Sequence, residues 1–107
     1  LKPSTRQRFI SLHFDYPAPT VEIEIVSAET SLTESDSTKL VKLAGKIRNL
    51  QELGLTESPS TRLLVDAGKL IFDGLAPRLA CEVAIVQPLT DDLETIKALK
   101  DLVALYF

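Results

Sequence analysis

The sequence is poor in residues that mark several classes of protein. It has no tryptophan or methionine, one cysteine and one histidine among 107 residues. A single cysteine cannot form an internal disulfide, and one histidine without neighbouring cysteines gives no zinc-ligand spacing. Cys81 falls at an apolar helical position, so we expect a buried thiol. His13 lies on the polar face of a predicted strand, so we expect neither catalysis nor metal binding from it.

Positive charge and long apolar runs are also scarce. Twelve basic against 15 acidic residues give a net charge of −3 and a pI near 5.1. Nucleic-acid binders usually have a basic face, and a membrane-spanning helix needs an apolar run of about 18 residues. The hydrophobic content of 45% suits one small domain with a modest core. We therefore expect a soluble, cytoplasmic protein that neither binds nucleic acid nor inserts into a membrane.

Residues 9–16, FISLHFDY, alternate between apolar and polar side chains, which predicts one half-buried strand. A lone strand has no partner within the chain. The first residues, LKPSTRQRF, include no initiator methionine and lead at once into this strand. We therefore expect the chain to be a fragment of a larger protein whose missing part holds the partner strands. The alternative is that the strand pairs with another copy of the chain.

Helical periodicity and capping residues follow the strand. Thr20 as a cap predicts a helix over 21–28, although VEIEIV also alternates as a strand does. Four more helices are predicted, over 33–53, 59–73 and 77–87 and from a cap at Thr90 or Asp91 to Tyr106. The helix over 33–53 is expected to have a solvated face that carries Lys39, Lys42, Lys46 and Arg48. The helix over 77–87 is expected to bury Leu79, Ala80, Val83 and Ala84. Short loops favour a mainly α protein: a small orthogonal bundle of about five helices, preceded by one strand.

One predicted helix, within ESPSTRLLVDAGKLIFDG, carries Arg62 in its opening turns. Ser58 is expected to cap it, Pro59 to occupy its first position and Gly74 to stop it. A cation there is less favourable than a neutral residue by about 0.3–1 kcal/mol, unless an anion occupies the same place. Arginine and a helix N-terminus together can bind a phosphate. Taken alone, the pattern favours a solvated or surface-paired arginine.

The chain lacks a phosphate-binding loop of its own. AGKL at 67–70 has no earlier glycine at the required spacing and lies within a predicted helix. The adjacent Asp91 and Asp92 are more typical of helix caps than of a carboxylate pair. What remains are Arg6 and Arg8 before the strand and Arg62 at a helix start. Arginine suits planar, multi-bond contact with phosphate oxygens.

Four stretches resemble a known family: LKPSTRQRFISLHFDYP, GLTESPSTRLLVDAGKLI, ACEVAIVQPLTDD and LVALYF. They are similar to the C-terminal part of the CbbQ/NirQ/NorQ family of MoxR-type AAA+ ATPases, which is related to the gas-vesicle protein GvpN. PSTRQRF, PSTR and PLTDD are the most specific blocks. The middle stretch SLTESDSTKLVKLAGKIRNL resembles the family mainly by pattern.

The resemblance implies two parts and an arginine in each. Residues 1–17 would form the arginine-finger segment and the last strand of the large AAA+ subdomain, and residues 18–107 the helical lid. It implies that Arg8, with Arg6 as the alternative, reaches the nucleotide of a neighbouring subunit. Arg62, with Ser60 and Thr61, would be the second-sensor region that contacts the ATP phosphates of its own subunit.

The family's Walker A, Walker B and first-sensor motifs are absent from these residues, and so are the Mg²⁺ ligands that accompany ATP. The fragment alone is therefore expected to bind ATP poorly and not to hydrolyse it. The resemblance implies a ring, a hexamer, that works with a partner bearing a von Willebrand factor A domain. Its client would be an enzyme that it remodels or activates, such as Rubisco carrying inhibitory sugar phosphates or nitric oxide reductase awaiting metal insertion.

Two other functions fit parts of the sequence. A standalone helical interaction module, or adaptor, would have no nucleotide chemistry. A helix-turn-helix DNA binder could be built on the short linkers around Gly54 and Gly74, but the acidic charge disfavours it.

Overall fold

Five helices make up the part of the chain that the computed structural model describes, and that part contains no strand. The described residues are 16–50, 55 and 57–107. Most of the predicted strand, with Arg6 and Arg8 before it, lies outside them, so the strand stays a prediction. Tyr16, its last residue, has no regular secondary structure.

The first two helices are α1 (Pro19–Thr30) and α2 (Glu34–Arg48). The helix expected over 21–28 is confirmed, but it begins at Pro19, and the expected cap Thr20 lies inside it. Thr33 caps α2, since its hydroxyl accepts a hydrogen bond from the Asp36 N–H at 3.2 Å. α2 ends at Arg48 rather than reaching residue 53.

The third helix, α3 (Thr61–Phe72), begins two residues later than expected. Ser60, not Ser58, is its cap: the Ser60 hydroxyl accepts from the Leu63 N–H at 3.3 Å. Pro59 precedes the cap, and its carbonyl oxygen accepts a hydrogen bond from Nε of Arg48 at 2.9 Å. Gly74 follows the helix with a φ of 108°, as expected of a left-handed stop.

The fourth helix contains a wider turn that the sequence did not predict. α-Helical Pro77–Cys81, π-helical Glu82–Val86 and α-helical Gln87–Leu89 run on without a break and are together called α4. Pro88 was expected to end the helix, because proline lacks an N–H and its ring clashes with the carbonyl four residues back. In the π turn the Gln87 N–H instead donates to the Glu82 carbonyl, five residues back. This wider spacing accommodates Pro88.

The last helix is α5 (Leu93–Tyr106), and its cap is Asp92 rather than Thr90 or Asp91. Oδ2 of Asp92 accepts the Thr95 hydroxyl at 2.8 Å and the Thr95 N–H at 2.9 Å. These hydrogen bonds lower the pKa of the Asp92 carboxyl. The two aspartates are adjacent, so the sequence pattern alone could not decide between them.

The core is built around α2, which packs against α1, α3 and α5. Its fully buried side chains include Leu40, Leu43 and Ala44. On α4, Ala80 and Ala84 are buried as expected. The expectation was wrong for Leu79 and Val83, which are 46% and 42% exposed, because the buried stripe of α4 is centred one residue later, on Cys81 and Ile85.

α1 and α3 approach closely where Gly68 faces Thr30. A Cβ at Gly68 would lie 2.7 Å from Cγ2 of Thr30 and 3.2 Å from Cδ1 of Leu32. Thr30 is itself buried, and its hydroxyl donates to the Val26 carbonyl at 2.6 Å. Glycine is therefore needed at 68 for this crossing.

Candidate functional site

The N-terminus of α3 presents an unpartnered cation. Arg62 is the second residue of the helix, its side chain is exposed, and it has no hydrogen-bond or ion-pair partner among the described residues. The N–H groups of Thr61 and Arg62 have no intrahelical acceptor, as in every first helical turn. The Ser60 hydroxyl accepts from Leu63 and keeps its own proton to donate. Arg62, Ser60 and these N–H groups fit an anion such as a phosphate.

Thr61, between Ser60 and Arg62, directs its hydroxyl towards another helix. Its hydroxyl donates to Oε2 of Glu22, in the first turn of α1, at 2.8 Å. The hydroxyl proton is therefore directed towards α1. Thr61 anchors the first residue of α3 next to Arg62.

Glu22 is buried and paired with Arg48. Only 1% of its surface is exposed, and its two carboxylate oxygens accept from Nη1 and Nη2 of Arg48 at 2.9 and 2.8 Å. Burial by itself would raise the pKa of Glu22. The hydrogen bonds from Arg48 and Thr61, with the charge of Arg48, outweigh burial and hold the pKa below its ordinary value. Glu22 is thus a carboxylate whose charge Arg48 balances.

Arg48 makes two further contacts. Its Nε donates to the Pro59 carbonyl at 2.9 Å, and its guanidinium carbon lies 3.7 Å from the centroid of the Tyr16 ring. We call Tyr16, Glu22, Arg48, Pro59 and Thr61 the Arg48 cluster. It joins the residues before α1, the first turn of α1, the end of α2 and the start of α3. The start of α3, and Arg62 with it, is therefore tied to the end of the domain at which Tyr16 lies.

The sequence reasoning missed this cluster. It placed Arg48 on a solvated face, which is wrong: the side chain is only 11% exposed. The local signal that could have been used is the spacing of Glu22, Val26 and Thr30, which puts an acidic side chain on the buried face of α1. Nothing local identifies its partner, which lies 26 residues away.

A second arginine occupies the same helical position as Arg62. Arg78 is the second residue of α4, is exposed and has no partner within the described part of the chain. Arg62 is therefore not the one arginine in the described residues that lies where the helix dipole disfavours a cation. Such a position does not by itself identify a phosphate site. The two arginines lie far apart along the chain's fold. Arg62 is at the N-terminus of α3, which has 12 residues and a length of about 18 Å, and Arg78 follows the C-terminus of that helix.

Cys81 is a buried thiol, as expected. It is fully buried in α4, and burial raises the pKa of the thiol to about 12. The thiolate that a nucleophile or metal ligand requires is therefore suppressed.

Residues 16–50, 55 and 57–107 contain neither a membrane-spanning helix nor a group of metal ligands. None of their helices has the length and apolar character needed to cross a membrane. No three His, Cys, Asp or Glu side chains in these ranges are grouped as metal ligands would be. Arg6 and Arg8 lie outside the ranges, so their expected role in a neighbouring subunit stays a prediction.

Comparison with known proteins shows the family. Residues 22–106, which include Glu22, Arg48 and Arg62, match the family described as CbbQ/NirQ/NorQ C-terminal. The chain belongs to this family, as its resemblance predicted.

Individual relatives agree with this assignment. The chain is 49% identical to denitrification regulatory protein NirQ of Pseudomonas aeruginosa, over 99% of this chain and 41% of that protein. It is 49% identical to protein NorQ of Paracoccus denitrificans, over 100% and 40% respectively. It is 51% identical to protein CbbQ of Hydrogenophilus thermoluteolus, over 94% and 38%. The chain thus spans about two fifths of the length of these curated relatives.

Proposed function

We propose that residues 18–107 are the helical lid of an AAA+ ATPase and that Arg62 contacts the terminal phosphates of ATP bound to its own subunit. The observation that supports this most directly is the place of Arg62. Its guanidinium is exposed, has no partner among the residues that the structure describes, and lies at the start of α3, which the Arg48 cluster joins to Tyr16. Residues 1–17, which include Tyr16, complete the nucleotide-binding subdomain in this proposal, so a nucleotide between the two parts lies within reach of Arg62.

Each residue at the start of α3 has a task in this proposal. ATP, when bound with Mg²⁺, supplies the phosphoanhydride bond whose hydrolysis drives the motor. Arg62 balances phosphate charge through charge-assisted hydrogen bonds, and the Ser60 hydroxyl donates a further bond. Thr61 holds the first turn in place through Glu22. Arg8, or Arg6 in its place, acts from the neighbouring subunit as an arginine finger, which raises kcat about 10³- to 10⁵-fold in comparable enzymes.

The assembly and client belong to the same proposal. The whole protein forms a hexameric ring in the cytoplasm, works with a partner bearing a von Willebrand factor A domain, and activates or remodels a client enzyme. The similarity to a denitrification regulatory protein NirQ supports a client in denitrification. The resemblance to the family implies nitric oxide reductase as that client, or Rubisco as the alternative. Because the identities to NirQ and to CbbQ are nearly equal, the proposal names the client only as an enzyme that the motor activates. This chain alone is expected to be inactive.

The test is ATP turnover by the full-length protein with Arg62→Ala. Loss of hydrogen bonds from a charged donor, worth about 1.5–3 kcal/mol, should lower kcat about 10- to 100-fold. Folding should be spared, because the side chain is exposed and contacts no partner within the described part of the chain. The kcat of Arg62→Lys should lie between those of the wild type and Arg62→Ala, since lysine keeps the positive charge but not the planar guanidinium.

Arg78→Ala is the matched control, because Arg78 is an exposed arginine at the same helical position. It should leave turnover unchanged. Wild-type turnover in Arg62→Ala would contradict the proposal and favour the alternative, an adaptor module in which Arg62 is a solvated side chain.

A further inference from the structure

A groove runs along α1 and ends at the start of α2. Its volume is about 710 Å³, and its lining extends from Thr20 in the first turn of α1 to Glu34, the first residue of α2. The apolar part of the lining is formed by Ile23, Ala28 and Leu32. The lining residues on α1 recur three and four positions apart, so they share one face of that helix. All of them differ from the residues of the Arg48 cluster, and the groove is therefore separate from the candidate site.

The charged residues that line the groove are both acidic. Glu24 and Glu34 are exposed and make no ion pair with any residue that the structure describes. The hydroxyl of Ser27 is directed inwards, where it donates to the buried Ser37 at 2.8 Å. The two carboxylates are therefore the charged groups that an occupant of the groove meets beside the apolar lining.

The segment that contains the groove has charge of the same sign. Residues 17–38 contain no lysine or arginine and five acidic residues, Glu22, Glu24, Glu29, Glu34 and Asp36. The segment thus has a net charge of −5, against −3 for the whole chain. Within the described residues Glu22 alone of the five has a basic partner, Arg48. A negative potential therefore surrounds the groove and favours an occupant with positive charge.

The shape of the groove favours a helix as its occupant. Proteins bind peptides by pairing with the edge of a sheet, in aromatic-lined grooves that take proline-rich segments, or in apolar grooves that take one face of a helix. The described ranges contain no strand, and no aromatic side chain is among the described residues that line the groove. From Thr20 to Ala28 the lining follows α1 for about 12 Å, which matches about two turns of a bound helix.

We propose that the groove along α1 is a docking site for a basic amphipathic helix of another protein. Apolar side chains of that helix lie against Ile23, Ala28 and Leu32, and its lysine or arginine side chains pair with Glu24 and Glu34. This inference goes beyond the proposed function and does not depend on it, because docking here needs neither Arg62 nor a nucleotide. Recognition by a short apolar stripe and a few exposed charges is typical of a weak, transient interface.

The test measures how a defined probe binds to the full-length protein, by fluorescence anisotropy. The probe is a fluorescein-labelled peptide of about 14 residues, roughly four helical turns, with leucine on one face and lysine on the other. A second peptide has glutamate in place of every lysine, and a third has the composition of the probe with its leucines scattered around the helix. The probe should bind at least about tenfold more tightly than either of the other two.

Two charge variants separate the groove from the general acidity of the protein. Glu24→Gln with Glu34→Gln should weaken binding of the probe about three- to tenfold at low salt, since each exposed ion pair contributes modestly. Glu94→Gln with Asp101→Asn removes two exposed charges from α5 and is the matched control, with an expected change below about twofold. High salt should abolish the difference between the two variants.

A second pair of variants tests the apolar lining. Ala28→Gln places a polar amide where the proposal puts an apolar side chain of the partner, and it should weaken binding about three- to tenfold. Ala104→Gln, at an exposed position of α5, is the control and should leave binding unchanged. Both substitutions keep a good helix former at an exposed position, so the fold should be spared.

Two results would overturn the inference. Equal weakening by the groove variants and the α5 variants means that the probe recognises only the net negative charge of the protein. Failure of the probe to bind means that the groove is filled by another part of the protein or by a second copy of it. Neither result bears on Arg62, so the proposed function is decided separately by its own turnover test.

Discussion

The carboxylate of Glu22 and the guanidinium of Arg48 form a bidentate pair, at 2.9 and 2.8 Å, between the first turn of α1 and the last residue of α2. The two side chains are 1% and 11% exposed. For a pair so little exposed, the cost of removing both charges from water offsets most of their attraction. The pair therefore contributes mainly by fixing how α1, α2 and the start of α3 meet.

Breaking this pair from one side should destabilise the domain strongly. Arg48→Ala leaves the Glu22 carboxylate buried without its charged partner, which costs about 3–5 kcal/mol in comparable cases. The double variant Glu22→Leu with Arg48→Met removes both charges and should recover most of that loss. Urea unfolding of the three proteins measures both effects. A cost below about 1 kcal/mol for Arg48→Ala would mean that water reaches Glu22.

Stability should depend on pH through Glu22. Its pKa in the folded state lies below the ordinary value of 4.5, so the unfolded chain binds the proton more readily. The contribution is fully present above about pH 4.5 and is lost as the pH falls through the lower, folded-state pKa. Glu22→Gln should therefore show a shallower loss of stability on acidification, measured by urea unfolding at several pH values. Glu24→Gln, an exposed neighbour on α1, is the matched control; identical slopes in the two variants would contradict the prediction.

The close crossing of α1 and α3 predicts opposite effects of alanine at two glycines. Gly68→Ala places a Cβ 2.7 Å from Cγ2 of the buried Thr30 and should destabilise the domain by about 1–3 kcal/mol, although alanine favours helix. Gly45→Ala, in α2, meets nothing within 4 Å and should stabilise by up to about 1 kcal/mol. Denaturant unfolding checks both. A stabilising Gly68→Ala would show that the two helices are further apart in solution.

The helices could be predicted from the sequence because their signals are local. Apolar spacing located all five, while adjacent candidates for a cap, such as Asp91 and Asp92, could not be separated by spacing alone. The start of α3 was placed two residues early because Ser58 and Ser60 are both suitable caps, and spacing alone could not show that Ser60 is the one used. The π turn before Pro88 was missed because the helical period assumed for α4 does not include it.

In the candidate site, too, the residues with a local sequence signal could be predicted and those held by tertiary contacts could not. Arg62 could be identified from a family motif and a helix start, and its exposure agrees with the expectation. The physical argument from the helix dipole was weaker, since Arg78 occupies the same position in α4. Glu22 and Arg48 could not be paired in advance, because they are 26 residues apart and each has an ordinary local interpretation, as a first-turn acid and a surface cation.

The central claim is that Arg62 contacts the terminal phosphates of ATP in its own subunit. It is tested most directly by a structure of the full-length protein with Mg²⁺ and a non-hydrolysable ATP analogue. The expected result is a guanidinium nitrogen of Arg62 about 2.7–2.9 Å from an oxygen of the γ-phosphate. A side chain in bulk solvent, farther from every phosphate than the Debye length of about 8 Å, would contradict the claim.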